Sequence, residues 1–185
     1  MRTLYPATEP RSIIPLAVGD GHLLHVEDCG RADGLPILFL HGGPGSGCKP
    51  YHRQFFDPTR WRPVLFDQRG AGLSTPRGDI VHNDSRRLLA DIETIRERLG
   101  IERWALFGGS WGAALALLYA QSHPQRVTGM VLRGAFLARP RDVDWFFGDG
   151  ARRLYADHWE RLCAAVGSDD PALIVSLCHA LLRDG

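Results

Sequence analysis

The chain has 185 residues, 44% hydrophobic and 23% charged, enough for a globular fold with one buried core. A formal net charge of +1, with no clustered basic run, argues against nucleic acid or an acidic membrane surface as partner. No run approaches membrane-spanning length, and Met1-Arg2-Thr3-Leu4-Tyr5-Pro6 contains no apolar signal core.

In chain order, residues 13–18 and 22–28 read as two strands joined at Gly19-Asp20-Gly21. Residues 35–40 and 63–67 are continuous apolar runs, the pattern of strands in a sheet covered on both faces. A Gly/Pro-rich loop at 41–51 and a short helix near 53–56 connect them. Asn83 or Asp84 caps a helix whose Leu88, Ile92, Ile95 and Leu99 form one stripe, with Gly100 as its stop. Residues 104–107 are a strand, 113–122 a helix and 126–133 a further strand. From about residue 139 the pattern is helical, through 143–155, 157–166 and 171–183. The alternation predicts an α/β fold with a mostly parallel sheet and helices on both faces.

Gly108-Gly109-Ser110-Trp111-Gly112 joins the strand 104–107 to the following helix. So sharp a strand-to-helix turn strains its central residue and needs small neighbours, because a Cβ there would meet backbone. It lifts the Ser110 hydroxyl above the sheet and aims a helix N-terminus at any negative charge formed beside it. This is the nucleophile elbow of an α/β-hydrolase, and the context outweighs the alternative of a serine that only caps a helix.

His41-Gly42-Gly43-Pro44-Gly45 follows the strand 35–40 directly. Acyl transfer builds negative charge on a carbonyl oxygen, and backbone N–H groups held at that oxygen lower the barrier. One donor comes from this loop and one from the residue after the nucleophile, which places Gly43 and Trp111 at the oxyanion. His41 precedes the serine, against the Ser, acid, His order of the fold, so it is expected to order this loop rather than act as base. Asp67-Gln68-Arg69-Gly70 ends a strand facing the same side, and there Asp67 and Arg69 are expected to tie loops together.

These motifs, with Gly70-Ala71-Gly72-Leu73-Ser74-Thr75-Pro76, Val131-Leu132-Arg133-Gly134-Ala135-Phe136 and Asp144-Trp145-Phe146-Phe147, resemble the proline iminopeptidases, prolyl aminopeptidases of the α/β-hydrolase superfamily. The resemblance runs from about residue 10 to the C-terminus. It implies a serine aminopeptidase acting on peptides with N-terminal proline and needing no metal or organic cofactor. Ser110 is then the nucleophile, and Gly43 and Trp111 the oxyanion donors. Gly42, Trp111, Phe136 and Phe146 are the candidates for substrate binding, the aromatics for the pocket around the proline ring. Phe136 and Phe146 have an alternative role as packing aromatics.

By the same resemblance, residues 1–138 are the N-terminal part of the hydrolase core and 139–185 the start of a helical cap. The chain is expected to stop at Gly185, before the last strands and before the triad Asp and His. No later acid follows an apolar strand, and His123, His158 and His179 fall in helical sequence. The strand 126–133 is therefore expected to leave an open edge through which chains can associate. Cysteines 29, 48, 163 and 178 show no CxxC or zinc spacing, which suits a reducing, cytoplasmic setting. Two alternatives stand beside the peptidase: an esterase or amidase of the same superfamily, and a catalytically inactive truncated product.

Overall fold

A computed structural model describes residues 3–184, so Met1, Arg2 and Gly185 lie outside the described residues. The strands are β1 Ser12–Ala17, β2 Leu23–Asp28, β3 Leu35–Leu40, β4 Trp61–Phe66, β5 Trp104–Gly109 and β6 Val127–Arg133. They form one sheet in the order β1-β2-β4-β3-β5-β6. β1 pairs with β2 and β2 with β4 antiparallel, whereas β4, β3, β5 and β6 run parallel. The register Leu38↔Leu106 and Leu40↔Gly108 brings the carboxyl ends of β3 and β5 side by side. Ligands of open parallel sheets bind beyond such strand ends.

Alternation along the strands separates two cores. Leu38, Leu40, Val64, Phe66, Trp104 and Leu106 face helices α1 (Ser85–Arg98) and α2 (Trp111–Ser122), meeting Leu88, Ile92, Ile95, Leu115 and Tyr119. Ile37, Phe39 and Leu65 face the other way, onto Phe56 beside the 3-10 segment Pro50–Phe55. Among the described residues, α1 and α2 thus cover one face, and on the other the cover is this short segment with its aromatic side chains.

β6 stands at the edge, bonded only to β5, with Met130 43% and Val131 52% exposed. The 104–107 strand extends to Gly109, and its helix starts at Trp111 rather than 113, which leaves Ser110 alone at the junction.

Packing divides the chain into two units, Met1–Phe136 and Leu137–Gly185. The second consists of α3 (Pro140–Asp144), a wide π turn Trp145–Asp149, α4 (Gly150–Leu154), α5 (Ala156–Val166) and α6 (Pro171–Asp184). The single helix expected at 143–155 is instead broken at Gly148, whose φ −127° and ψ −110° are not helical. Two glycines in Gly148-Asp149-Gly150 permit the break, and Gly150 lies under the Trp145 indole, where a Cβ would sit 2.3 Å from Cε2. α5 ends at Gly167, φ +74°.

Candidate active site

Ser110 has φ 55° and ψ −120°, a backbone state that a non-glycine residue adopts only when its surroundings impose it. The surroundings are backbone atoms. A Cβ at Gly108 would lie 2.3 Å from the Gly112 oxygen, and one at Gly112 would lie 2.0 Å from the Leu40 oxygen. Both flanking glycines are needed so that strand, turn and helix can approach this closely. Ser110 N–H also donates to the Arg133 carbonyl at 2.9 Å, which fixes the turn to the end of β6. Among the described residues no group is hydrogen-bonded to Ser110 Oγ.

The loop after β3 lies against this turn. A Cβ on Gly42 would be 2.9 Å from Gly109 O and 3.3 Å from Ser110 Cβ. Gly43 has φ +115°, and the Gly43–Pro44 peptide is cis. Trp111, as the first residue of α2, has an N–H with no carbonyl available one turn earlier. The elbow and the loop thus share one wall of a cavity of about 680 Å³, lined among others by Gly42, Gly43, Ser110, Lys49, His52 and Arg133.

His41 is 2% exposed. Its Nδ1 donates to the Gly42 carbonyl at 2.9 Å, and its Nε2 accepts the Gln68 backbone N–H at 3.0 Å. A carbonyl can only accept and an N–H only donate, so the ring is neutral with its proton on Nδ1. Burial pushes its pKa below the ordinary histidine value. Both nitrogens are committed, which leaves none for Ser110.

Gln68, to which the motif reading gave no role, links the parts. Its side-chain amide donates to the His41 carbonyl at 3.0 Å and accepts the Trp111 indole N–H at 3.0 Å. Asp67 accepts from the Cys48 N–H and, at 2.7 Å, from the Leu73 N–H, which joins two loops. Arg69 holds Asp91 with two bonds of 2.7 and 2.8 Å and reaches Asp20 at 3.0 Å. Asp67 and Arg69 are thus engaged in holding loops.

The sequence-derived substrate residues are divided between the two units. Gly42 and Ser110 line the cavity, and the Trp111 indole is turned to Gln68. Phe136 is half-buried at the end of the first unit. Phe146 belongs to the second unit, is 52% exposed and packs edge-on against Phe147 at 5.0 Å. Lys49, His52 and Arg133 were not singled out for the cavity from sequence; their place depends on where the 3-10 segment and the end of β6 fall. Among the described residues no group of three or more His, Cys, Asp or Glu side chains is placed to hold a metal, and no helix is long and apolar enough to cross a membrane.

A family model described as alpha/beta hydrolase fold matches residues 36–171. A proline iminopeptidase of Xylella fastidiosa is 48% identical over 182 residues, which is 98% of this chain and 58% of the relative. One from Arabidopsis thaliana is 55% identical over 159 residues, covering 86% of this chain and 42% of the relative. Among solved structures, a proline iminopeptidase-related protein of Thermus thermophilus superposes with a TM-score of 0.67 at 30% identity, over 93% of this chain and 56% of that one. The chain therefore spans between 42% and 58% of the length of these relatives.

Proposed function

Since the chain belongs to the α/β-hydrolase fold family, we propose that it carries the nucleophile of a serine aminopeptidase that releases N-terminal proline from peptides. The observation that carries this reading is Ser110, held at positive φ between a strand and a helix and against the Gly42–Gly43 loop. Its hydroxyl attacks the carbonyl of the first residue, and the N–H groups of Gly43 and Trp111 hold the oxyanion. The intermediate collapses by breaking the peptide bond to the second residue, whose amine leaves with a proton from the triad histidine. Water then hydrolyses the acyl–serine ester to free proline and the serine hydroxyl. The triad acid and histidine come from outside the described residues, and residues 139–185 form the start of a helical cap. The relatives' names support proline as the first residue. Four free cysteines suit a cytoplasmic location. The open edge of β6 is where we place any association between chains.

A fluorophosphonate tests the nucleophile. It labels Ser110, and Ser110→Ala abolishes the label. Release of a proline anilide by the 185-residue chain is slow, because a serine without its base loses about 10⁴- to 10⁶-fold. Full-rate, Ser110-dependent release would place the base within these residues. Faster turnover of a short acyl ester than of the anilide by a version extended to the relatives' length would move the reading to an esterase.

A further inference from the structure

One wall of the Ser110 cavity carries chemistry that attack on a carbonyl does not use. His52, on the 3-10 segment Pro50–Phe55, is 8% exposed and lies with its ring 4.5 Å from Phe39 and 4.4 Å from Tyr51. Its Nδ1 accepts the Lys49 backbone N–H at 3.0 Å, so the proton of the neutral ring is on Nε2. Among the described residues that Nε2–H has no acceptor, and the ring lines the cavity. The Nε2 atom reaches solvent at the cavity, so it is a donor that a ligand acceptor can take over from water. Lys49, the only lysine, lines the same wall, and Arg133 lines the cavity from the end of β6. Among the described residues the lining contains no carboxylate, so the ammonium end of a peptide meets no counter-charge from them.

We propose that this wall is a carboxylate subsite: the Lys49 ammonium and the His52 Nε2–H receive the free C-terminal carboxylate of a dipeptide whose scissile carbonyl lies at Ser110. The assignment rests on the peptidase reading and deepens it, since it names dipeptides as the substrate class. Burial, with the nearby His41, Arg133 and Lys49, pushes the His52 pKa to about 4, so the ring donates as a neutral group near pH 7. The cavity, about 680 Å³, has the size of a small-ligand site. A residue extends the chain by at most about 3.6 Å, so each added residue carries the carboxylate farther from this wall.

The test is the affinity of the 185-residue chain, as Ser110→Ala to keep the ligand intact, for prolyl-alanine and for prolyl-alaninamide. The acid binds about tenfold more tightly than the amide, the effect of one charge-assisted hydrogen bond. The preference shrinks as salt is raised. Lys49→Gln, at an exposed position, brings it to about threefold or less, and His52→Gln reduces it as well. Equal affinities for acid and amide overturn the subsite and leave the peptidase reading intact. A tenfold preference that survives both substitutions overturns the roles of Lys49 and His52. Failure of both peptides to bind also overturns the subsite, and fluorophosphonate labelling of unsubstituted Ser110 then decides separately whether the hydrolase reading stands.

Discussion

Helices α1 and α2 lie on the same face of the sheet and begin in opposite ways. Asp84, before α1, has extended backbone, φ −113° and ψ 166°, and its carboxylate accepts the Arg87 N–H. Ser110, before α2, has φ 55° and ψ −120° and makes no capping bond. α1 shows a one-sided stripe, and Arg69 ties Asp91 from that stripe to the loop after β4. α2 buries an unbroken run from Gly112 to Ala116 and also Tyr119, so packing alone locates it. The first helix is stabilised by its own end. The second is held by the core, which leaves its end free to carry strain and, in our reading, the nucleophile.

The largest break in this comparison comes from α1's tie. Arg69→Ala strands Asp91, 1% exposed, without its guanidinium. Leaving one member of a buried pair costs about 3–5 kcal/mol, so the denaturation midpoint should fall sharply or folding should fail. An unchanged midpoint would mean that the pair contributes little to the fold. Gly112→Ala strikes α2. The new Cβ meets the Leu40 carbonyl at 2.0 Å, and a strand backbone cannot swing aside as a flexible side chain would. The cost is at the upper end of over-packing, about 3 kcal/mol, with loss of Ser110 labelling by a fluorophosphonate. A folded, fully labelled variant would show that the turn has more room than these contacts allow.

The contrast also marks what could be read from the chain. Gly108 and Gly112 disclosed the turn because only glycine tolerates carbonyl oxygens that close, and the requirement is local. The α1 cap and stripe were legible for the same reason, as was the commitment of His41, which followed from its position before the serine. Gln68 was not legible. Its partner Trp111 lies 43 residues away, and only the β4–β3–β5 register brings them together. His52 was hidden because its free N–H depends on which ring nitrogen meets the Lys49 backbone, a detail of the 3-10 turn. The break at Gly148 was missed because helical periodicity continues on both sides of it.

Paired substitutions at the two helix starts should move stability in opposite directions. Asp84→Ala removes a cap and lowers stability by about 1 kcal/mol. Ser110→Gly relieves the positive φ. A strained residue stores about 1–3 kcal/mol, and the freer unfolded glycine offsets about 0.5–1, so a net gain of about 1 kcal/mol is expected. Chemical denaturation of both variants measures the two signs. A loss at Ser110→Gly would mean that the turn is relaxed and that the contrast between the helices is only one of capping.

Acid separates the two regions by pH window. The His52 pKa is pushed down to about 4 by burial, and burial lowers that of His41 as well. Below the ordinary value near 6.5 the unfolded chain binds protons that the folded chain refuses, so stability falls as pH drops from 6.5 toward 4. Glu93 on α1 is held at about 2, first by its hydrogen bond from Arg96, and it also accepts from Tyr119 of α2. Its contribution is present above about 4.5 and is lost as pH falls from there toward 2. His52→Gln should therefore flatten the melting temperature between pH 6.5 and 4, leaving the residual slope of His41 and the whole of the lower window. Glu93→Gln should flatten only the lower window. Identical slopes in the parent chain and His52→Gln would mean that partial burial beside His41, Arg133 and Lys49 does not hold the imidazole below its ordinary value.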